Sequence, residues 1–450
     1  MAGLAAIVQQ QGKTVRGSDV AQTFATAEPL RRLGVTVHRG FAVAHLDPPP
    51  GLVVVGASWR ETHPEVRAAR ERGIPVVPES ELRGWLSRQK KTIVVSGVHG
   101  KSTTTALLAW VLTHAGRDPS YLVGAPAVAG LPASGRWGGG EYFVVEGDEY
   151  AKSQTDRTAK FLDLDPWATV ITSVEWEHVD VYPNVGAMEA AFAKLAKKTR
   201  GPVVVGADWP SAIKAASAAR HIISYGVGGN ADYQVVDFQP TRAGSEFAVR
   251  YRGREYCRLF SPLIGRHNAV NAAAAMIVAQ AAGVRRTQFT EALRSFQGLA
   301  RRQHVQVRDG VTWIDDYGHH PTEISRTLEA IRERYPKEKI WVVFQPHLAS
   351  RTRALMAQFA TSFTPANRVV IAGLFASARE PNDPQAANDL AAAIAASHPA
   401  VRFGGSLAQT AAYLAPHLEP GDVVITMGAG DVDNVRSLVW ETPRKSGRGQ

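Results

Sequence analysis

The chain has 450 residues, 45% of them hydrophobic and 20% charged, with a formal net charge of +10 and one cysteine, Cys257. This length predicts roughly two to four domains with full-sized cores. The lone cysteine excludes an intrachain disulfide and is typical of a reducing cytoplasm, and no apolar run of about 18 residues predicts a membrane span. Basic residues are scattered except in the tail Arg444–Arg448, so anionic nucleotides explain the charge more economically than a nucleic acid does.

The first block, residues 1–90, alternates short apolar runs with helical patterns. Leu52–Gly56 and Ile74–Val77 predict strands, and Pro64–Arg72 between them predicts a helix. Strands that alternate with helices favour a parallel sheet covered by helices. A polar helix is expected to lead into the next block, and it contains Arg83, Arg88, Lys90 and Lys91.

The second block, residues 91–299, opens with a phosphate cradle, Ser96–Thr103, between the apolar run Thr92–Val95 and a helical pattern. Glycines let backbone N–H groups face an anion, and the helix N-terminus adds its positive end. We expect Lys101 to reach the terminal phosphates and Ser102 to offer its hydroxyl to Mg²⁺. Val95 stands where the common phosphate-loop pattern has its first glycine, so a glycine turn with an incidental lysine is the alternative.

Acidic residues follow the next two predicted strands of this block. Tyr142–Glu146 leads into Gly147–Glu149, and Ala168–Thr172 leads into Glu175–Asp180, which includes a histidine. In an open parallel sheet the carboxyl ends of the strands meet at one edge, here the edge of the cradle. Carboxylates and an imidazole at that edge are suitable Mg²⁺ ligands beside phosphate. A solvated acidic loop with a structural histidine is the alternative.

The pattern changes between Ile222 and Phe260 to alternating strands, which predicts an antiparallel insert or sheet edge. An alanine-rich helix follows, and Asn268 and Asn271 lie near its start. The two amides can face one side of the helix, where they either hydrogen-bond a purine edge or cap the helix.

The third block, residues 300–450, again places polar clusters after strand-like runs. Val311–Ile314 leads into Asp315–Pro321, and Ile340–Val343 leads into Phe344–Arg351. Two such clusters predict a binding face in this block. Histidines beside prolines are also common as structural residues, so each cluster has that alternative.

These motifs occur in one order along nearly the whole chain, and that order resembles the Mur ligase family, the ATP-dependent amide-forming enzymes of peptidoglycan precursor synthesis. The closing Gly428–Asp431 belongs to the same series. The resemblance implies an α/β fold of three domains with mainly parallel sheets. Residues 1–90 would form a truncated Rossmann-like domain for the UDP-sugar, residues 91–299 a central ATP-binding domain, and residues 300–450 a Rossmann-like amino-acid-binding domain with a basic tail.

The resemblance also assigns roles residue by residue. The catalytic residues would be Lys101, Glu149 and His178. The Mg²⁺ ligands would be Ser102, Glu149 and His178. ATP would contact Gly97, His99, Gly100, Lys101, Ser102, Thr103, Asn268, Asn271, Arg301 and Asp316. The nucleotide sugar and the acceptor would contact Ser18, Asp19, Tyr317, His319, His347 and Arg351.

Two groups of residues point to different acceptors within the family. Phe344–His347, Ser350–Thr352 and the closing Gly428–Asp431 look most like members that add L-alanine. By contrast, Glu146–Tyr150, Lys160–Phe161 and Val181–Pro183 look more like members that add a murein tripeptide. We therefore expect UDP-N-acetylmuramate to be joined to L-alanine through an acyl-phosphate, with L-alanyl-γ-D-glutamyl-meso-diaminopimelate as the alternative acceptor. Leu348 stands where alanine-adding members usually have an arginine, which weakens the recognition expected for a free carboxylate.

Like Leu348, the first residues of the chain depart from the usual pattern of the family. The family usually begins with a strand and a glycine-rich loop, but Met1–Ala5 looks like the helix after that loop, and Gly17–Asp19 is present. An upstream start codon is favoured over a sheet that lacks its first strand.

Two other functions stay open: a nucleotide-binding homologue without catalysis, and a phosphate-loop kinase acting on a small alcohol. We expect a cytoplasmic monomer or homodimer that binds no nucleic acid and does not insert into membranes.

Overall fold

The computed structural model describes residues 1–20, 27–178, 181–376 and 383–442. The chain divides into two compact units. The first comprises Met1–Phe238, Glu246–Pro262 and Asn268–Gly298, and the second comprises Gln239–Ser245, Leu263–His267 and Leu299–Gln450. The basic tail Arg444–Arg448 and the end of the acidic motif, Val179 and Asp180, lie outside the described residues.

The N-terminal part of the first unit contains two small parallel sheets. Its elements are α1 (Ala2–Gln10), β1 (Arg16–Asp19), α2 (Ala27–Arg32), β2 (Thr36–Arg39), β3 (Val53–Val55), α3 (Pro64–Glu71), β4 (Val76–Pro78) and α4 (Glu79–Ser87). Strand β1 pairs with β2, and β3 pairs with β4. Leu46, Ala68, Ala69 and Ile74 form a small core beneath α3.

The polar helix before the cradle is shorter than the sequence predicts. Helix α4 ends at Ser87, whose hydroxyl donates to Gly84 O at 2.7 Å. Lys91 already begins the next strand, and its N–H donates to Glu141 O at 2.9 Å. The prediction that Lys90 and Lys91 belong to this helix was therefore wrong, because sheet pairing takes over the backbone of this segment.

The rest of the first unit is built on a ten-stranded sheet with the order β14-β13-β12-β11-β10-β9-β5-β8-β6-β7. Its strands are β5 (Lys91–Ser96), β6 (Ser120–Leu122), β7 (Gly135–Arg136), β8 (Tyr142–Gly147), β9 (Pro166–Ile171), β10 (Val203–Gly206), β11 (Ile222–Gly226), β12 (Tyr233–Thr241), β13 (Gly244–Tyr251) and β14 (Arg254–Ser261). The helices of this stretch are α5 (Lys101–His114), α6 (Val185–Lys198), α7 (Pro210–Ala216), α8 (Arg266–Ala281) and α9 (Arg286–Ser295).

The centre of this sheet is parallel and its edge is not. Strand β5 pairs in parallel with both β8 and β9, and Ile93, Val94 and Val95 are fully buried. Strands covered on both faces read as continuous apolar runs, which is the pattern from which they were predicted. Strands β12, β13 and β14 are neighbours joined by two-residue connections, which only antiparallel strands allow. The predicted antiparallel edge is confirmed.

The second unit contains a six-stranded sheet with the order β15-β16-β20-β17-β18-β19. Its strands are β15 (His304–Arg308), β16 (Val311–Asp316), β17 (Ile340–Phe344), β18 (Arg368–Ala372), β19 (Val401–Gly405) and β20 (Val423–Met427). Its helices are α10 (Pro321–Arg334), α11 (Ala349–Ala354), α12 (Met356–Thr361), α13 (Gln385–Ala395), α14 (Leu407–Leu414) and α15 (Asn434–Glu441). The β15–β16 pair is antiparallel, and the other pairs are parallel.

Both faces of this second sheet are covered. Ile340 and Val342 of β17 belong to one hydrophobic cluster, and Trp341 and Val343 belong to another. Side chains alternate between the two faces of a strand, so the two clusters are the two layers of helices that sandwich the sheet. The predicted α/β class with mainly parallel sheets is confirmed, whereas the three domain boundaries stay a prediction.

Among the described residues, no helix has the length and apolar character needed to cross a bilayer.

Candidate active site

The turn between β5 and α5 is held by the residues that follow β9. Val98 N donates to Ser173 O at 3.1 Å, His99 N donates to Ser173 Oγ at 2.9 Å, and Thr172 Oγ1 donates to His99 O. Gly97 has a φ of +131°, and a Cβ there would lie 2.2 Å from Thr172 Oγ1. Only glycine fits this conformation and this space, so the cradle depends on its first glycine.

The second glycine of the cradle faces the predicted amide pair. Gly100 has a φ of +81°, and a Cβ there would lie 2.4 Å from Asn271 Oδ1. Asn271 Nδ2 donates to Asn268 Oδ1 at 3.3 Å, and both side chains are buried. The structure therefore places the two amides together beside the turn, at the start of α8.

Lys101 is the central cation of the cradle. Its ammonium donates to Gly97 O at 2.6 Å, to Val98 O at 3.2 Å and to Glu149 Oε1 at 3.0 Å. Burial by itself would lower the pKa of Lys101. The surrounding carboxylates outweigh burial and raise this pKa above its ordinary value, with the largest effect from Glu149, followed by Glu146 and Glu177. Lys101 is therefore a buried ammonium group whose charge the surrounding carboxylates stabilise.

Three side chains beside Lys101 form what we call the Glu149 cluster: Glu149, Glu177 and His178. His178 Nε2 lies 2.9 Å from Glu149 Oε1, and the three side chains offer ligand atoms that all lie within 4.8 Å of one another. Glu149 Oε2 accepts no hydrogen bond in the described part of the chain and lies 3.0 Å from Lys101 Nζ. Two carboxylates and an imidazole at this spacing fit a divalent cation such as Mg²⁺.

The backbone around the Glu149 cluster is held by aromatic residues. The Tyr182 hydroxyl donates to Glu149 O at 2.7 Å, and the Tyr150 ring centre lies 4.2 Å from that of His178. His178 has a φ of +54°, in a region that residues other than glycine rarely adopt. Such strain persists where the surroundings enforce it, and it is common at functional sites.

Ser102 contacts Glu146, which the sequence places among the acidic residues at this edge but does not single out as a site residue. Its hydroxyl donates to Glu146 Oε1 at 2.9 Å, and Gly124 N donates to Glu146 Oε2 at 2.8 Å. Burial and the nearby Asp148 carboxylate raise the pKa of Glu146 above its ordinary value. Glu146 is the second-last residue of strand β8, and the sequence already placed it at the carboxyl end of that strand.

The remaining cradle residues are His99 and Thr103. His99 Nε2 lies 2.7 Å from Glu175 Oε2, and its ring centre is 5.7 Å from that of Trp209. Thr103 is buried in the first turn of α5.

The predicted UDP-sugar residues form a separate group at the end of β1. Ser18 Oγ lies 3.2 Å from His45 Nδ1, and the same nitrogen lies 2.8 Å from Glu65 Oε1. Asp19 O accepts a hydrogen bond from Gly40 N at 2.7 Å, which joins the carboxyl ends of β1 and β2. His45 and Glu65 were not predicted, because nothing in their local sequence marks them.

In the second unit, Arg301 binds the loop after β20. Its guanidinium donates to Gly430 O at 2.7 Å and to Gly428 O at 3.0 Å, and its Nε donates to Asp315 Oδ2 at 3.3 Å. The guanidinium carbon lies 5.4 Å from the ring centre of Tyr317. Arg301 therefore joins the ends of β16 and β20.

Asp316 is buried at the end of β16. Its two carboxylate oxygens accept hydrogen bonds from Gly318 N at 2.7 Å and from Gln303 N at 3.2 Å. Burial raises the pKa of Asp316 to about 6, against the opposing effect of the Arg302 guanidinium. In the same segment, His319 N donates to Glu323 Oε2 at 3.1 Å.

The second polar cluster of this unit follows β17. The His347 ring stacks on Phe375 with a centre distance of 5.4 Å, and Arg351 is buried on α11. Leu348 has a φ of +70°, and its carbonyl accepts hydrogen bonds from Thr352 N at 3.1 Å and Thr352 Oγ1 at 2.9 Å. Leu348 thus occupies a strained position between two predicted substrate residues.

Gln345 is a residue whose role the sequence analysis missed. Its amide makes two hydrogen bonds to Asp431: Nε2 donates to Oδ1 at 2.9 Å, and Oε1 accepts from the backbone N at 3.0 Å. A Cβ at Gly430 would lie 2.4 Å from Gln345 Oε1. Gln345 therefore fixes the Gly-Ala-Gly-Asp loop, a long-range contact that no local pattern reveals.

The predicted residues thus fall into three groups. One surrounds the cradle and holds Lys101, Glu149 and His178 in mutual contact. A second lies at the end of β1, and a third lies in the second unit. The roles of individual residues in binding stay predictions.

Three stretches of the chain match family models. Residues 1–91 match the model described as Mur ligase family, catalytic domain. Residues 95–279 match the Mur ligase middle domain, and residues 300–430 match the Mur ligase, glutamate ligase domain.

Individual proteins are also similar to this chain, some of them over nearly its full length. The UDP-N-acetylmuramate–L-alanine ligase of Roseiflexus sp. (strain RS-1) is 39% identical over an alignment of 468 positions, gaps included, which covers 99% of this chain and 97% of that protein. The crystal structure of UDP-N-acetylmuramate-alanine ligase from Thermotoga maritima matches with a TM-score of 0.81 and 25% identity, over 98% of this chain and 96% of that one. The UDP-N-acetylmuramate:L-alanyl-γ-D-glutamyl-meso-diaminopimelate ligase from Neisseria meningitides matches with a TM-score of 0.62 and 27% identity, over 67% of this chain and 96% of that one.

Proposed function

Because the chain belongs to the Mur ligase family, we propose that it is an ATP-dependent ligase that joins UDP-N-acetylmuramate to L-alanine in the cytoplasm. The observation that carries the proposal is the contact of Lys101 and His178 with the same carboxylate, Glu149, beside the glycine turn. A phosphate-binding lysine and a set of metal-binding side chains are thereby concentrated at one edge of the sheet, as phosphoryl transfer requires.

The first step activates the carboxyl group of the nucleotide sugar. A carboxylate oxygen attacks the γ-phosphorus of ATP, the bond from phosphorus to the β,γ-bridging oxygen breaks, and ADP leaves. The product is an acyl-phosphate. Positioning and neutralisation of charge dominate such a step, so the protein needs few reacting groups of its own.

The second step forms the amide bond. The amino nitrogen of the acceptor attacks the acyl carbon and gives a tetrahedral intermediate. Its collapse expels inorganic phosphate, and the nitrogen loses a proton to give the neutral amide. Donors aimed at the developing oxyanion lower this barrier.

The cradle residues act on the triphosphate. Lys101 binds the terminal phosphates, and the N–H groups at the start of α5 face their oxygens. Ser102, Glu149 and His178 would hold Mg²⁺, with Glu177 beside them. When it is bound, Mg²⁺ neutralises the charge of the phosphate oxygens.

The other predicted residues bind the remaining parts of the substrates. Asn268 and Asn271 contact the adenine side, and Arg301 and Asp316 contact ATP from the second unit. The nucleotide sugar meets Ser18 and Asp19. The acceptor meets Tyr317, His319, His347 and Arg351, with the Arg351 guanidinium on the carboxylate of the amino acid.

A second acceptor is favoured by two features. Leu348 takes a position where a guanidinium would bind a free carboxylate. The tilted Tyr150 ring contacts that of His178, and Tyr150 belongs to the motif that looks like the tripeptide-adding members. The acceptor would then be L-alanyl-γ-D-glutamyl-meso-diaminopimelate, and the chemistry of both steps would be unchanged.

The experiment supplies the purified protein with ATP, Mg²⁺ and UDP-N-acetylmuramate, together with L-alanine or the tripeptide. Phosphate release and the mass of the nucleotide product are measured. We expect release that requires both the sugar and L-alanine, and a product heavier by one alanyl residue. Phosphate release with the tripeptide but not with L-alanine would move the assignment to the second acceptor. No phosphate release with either acceptor would contradict the ligase function.

Two lysine variants provide the matched control. Lys101→Met removes the buried ammonium and is expected to lower the rate by about a hundredfold to a thousandfold. Lys91→Met changes a lysine on the adjoining strand whose side chain is half-exposed and pairs with Glu141, and it is expected to retain the wild-type rate. Equal rates for the two variants would contradict the role given to Lys101.

A further inference from the structure

A buried cluster of four charged side chains lies beside the metal-binding residues and has no role in the mechanism above. It consists of Glu79 and Arg83 on α4, Asp148 after β8, and Lys160. Arg83 Nη1 donates to Asp148 Oδ2 at 3.0 Å, and Arg83 also forms an ion pair with Glu79. Lys160 Nζ donates to Glu79 Oε1 at 2.7 Å. We call this set the Arg83 cluster.

The burial of these charges makes the Arg83 cluster unusual. Their side chains are between 4% and 18% exposed. A buried ion-pair set is often no more stabilising than apolar side chains of the same size, although losing one partner is harmful. A contribution to the free energy of folding therefore does not explain why these charges are buried here.

The position of Asp148 gives the explanation. Asp148 immediately precedes Glu149, whose carboxylate contacts Lys101 and His178. The Asp148 carboxylate contacts Arg83 instead, so the two neighbouring carboxylates are held by different partners. Asp148 O also accepts a hydrogen bond from Phe161 N at 3.1 Å.

We propose that Arg83 is a positioning residue for the binding of a divalent cation. Its ion pair with Asp148 fixes the backbone at Asp148 and Glu149, and thereby keeps the Glu149 carboxylate at the spacing that the Glu149 cluster requires. The inference rests on the proposed function, in which that cation neutralises ATP. Partners of metal ligands that orient them in this way typically change metal affinity by about tenfold to a hundredfold when they are removed.

The test measures Mn²⁺ binding in the presence of ADP by electron paramagnetic resonance, so that it does not depend on turnover. Arg83→Met and Asp148→Asn remove the ion pair from opposite sides, and Arg83→Lys keeps a cation. Arg67→Met is the matched control, because Arg67 lies on the neighbouring helix α3 and its pair with Glu71 is exposed. Thermal unfolding and UDP binding of each variant report folding.

The two single variants separate positioning from simple electrostatics. Arg83→Met leaves one more uncompensated negative charge, which by Coulomb attraction alone would tighten Mn²⁺ binding, whereas Asp148→Asn would weaken it. If Arg83 positions Glu149, Arg83→Met and Asp148→Asn should both weaken Mn²⁺ binding by about tenfold and leave UDP binding unchanged. Arg83→Lys should stay within about threefold of the wild type, since an ammonium can retain the pair.

The results overturn the inference if Arg83→Met binds Mn²⁺ as tightly as the wild type or more tightly. The inference fails equally if Arg67→Met weakens binding as much as Arg83→Met does. Should Arg83→Met not fold, the double variant Arg83→Met with Asp148→Asn decides instead. It removes both charges of the pair and leaves the net charge unchanged, so Coulomb attraction alone predicts wild-type Mn²⁺ binding and positioning predicts weaker binding. A wild type that releases no phosphate with any acceptor would contradict the proposed function, whereas an active wild type with an unaffected Arg83→Met variant contradicts this inference alone.

Discussion

At the scale of single residues, the glycines of the cradle determine its geometry. Gly97 combines a φ of +131° with a neighbouring Thr172 hydroxyl at only 2.2 Å from where a Cβ would lie. The same hydroxyl donates to His99 O, so it cannot move away without breaking the turn. Sequence reasoning placed a glycine turn here, but it could not identify Thr172 as the residue that leaves no room.

We predict that Gly97→Ala destabilises the protein by about 2–4 kcal/mol, because it combines a clash with backbone strain. Ligase activity should fall with it, since the backbone N–H groups of the cradle shift. The matched control is Gly229→Ala, where nothing lies within 4 Å of the added methyl group. Denaturant unfolding and phosphate release compare the two. Equal stability of the two variants would show that the turn tolerates a side chain.

Asp316 gives a second prediction at this scale. Its pKa is raised by burial to about 6, so the folded protein holds this proton more tightly than the unfolded chain does. The free energy of unfolding therefore falls as the pH rises from about 4 to about 6 through this group, by roughly 3 kcal/mol. Asp316→Asn removes the titration and should flatten this part of the profile.

The measurement is denaturant unfolding of wild type and Asp316→Asn between pH 4 and pH 7. Asp309→Asn, at an exposed turn, serves as the control and should keep the wild-type pH dependence. A wild-type profile that Asp316→Asn leaves unchanged would mean that the carboxylate does not titrate in this range.

At the scale of elements, the apolar runs predicted the central strands well, because parallel strands buried on both faces must be apolar throughout. Strands β6 and β7 were not predicted. Strand β7 covers only Gly135–Arg136, and it exists because β6 and helix α1 pack on either side of it. Gly3 of α1 approaches so closely that a Cβ on Gly135 would lie 2.0 Å from Gly3 O. Such a backbone contact depends on residues that are far apart in the sequence.

We predict that Gly135→Ala separates α1 from β7 and lowers the free energy of unfolding by about 2–3 kcal/mol. Leu4 and Ile7 of α1 are buried in the core of the first unit, so they would lose part of their packing. Gly51→Ala is the matched control, since a Cβ there meets nothing within 4 Å. Amide exchange in α1, followed by mass spectrometry, should rise in Gly135→Ala alone. Unchanged exchange would show that the close approach is not required.

At the scale of the whole molecule, each of the two compact units contains some of the predicted site residues. The contact of Lys101, Glu149 and His178 was predicted, because strand ends of a parallel sheet converge at one edge. The hydrogen bonds of Gln345 to Asp431 and of Ser18 to His45 were not, because they join segments that no motif connects. The types and order of the residues therefore predicted which side chains gather at the strand ends better than they predicted the long-range hydrogen bonds that fix those side chains.

The central claim is that the chain activates a carboxyl group through an acyl-phosphate. UDP-N-acetylmuramate labelled with ¹⁸O in its lactyl carboxylate tests this most directly, in a reaction with ATP, Mg²⁺ and L-alanine. One labelled oxygen should pass to the inorganic phosphate, because the oxygen that attacks the γ-phosphorus leaves with it when the amide forms. Mass spectrometry of the phosphate reads the result. Unlabelled phosphate formed together with the amide product would contradict the account.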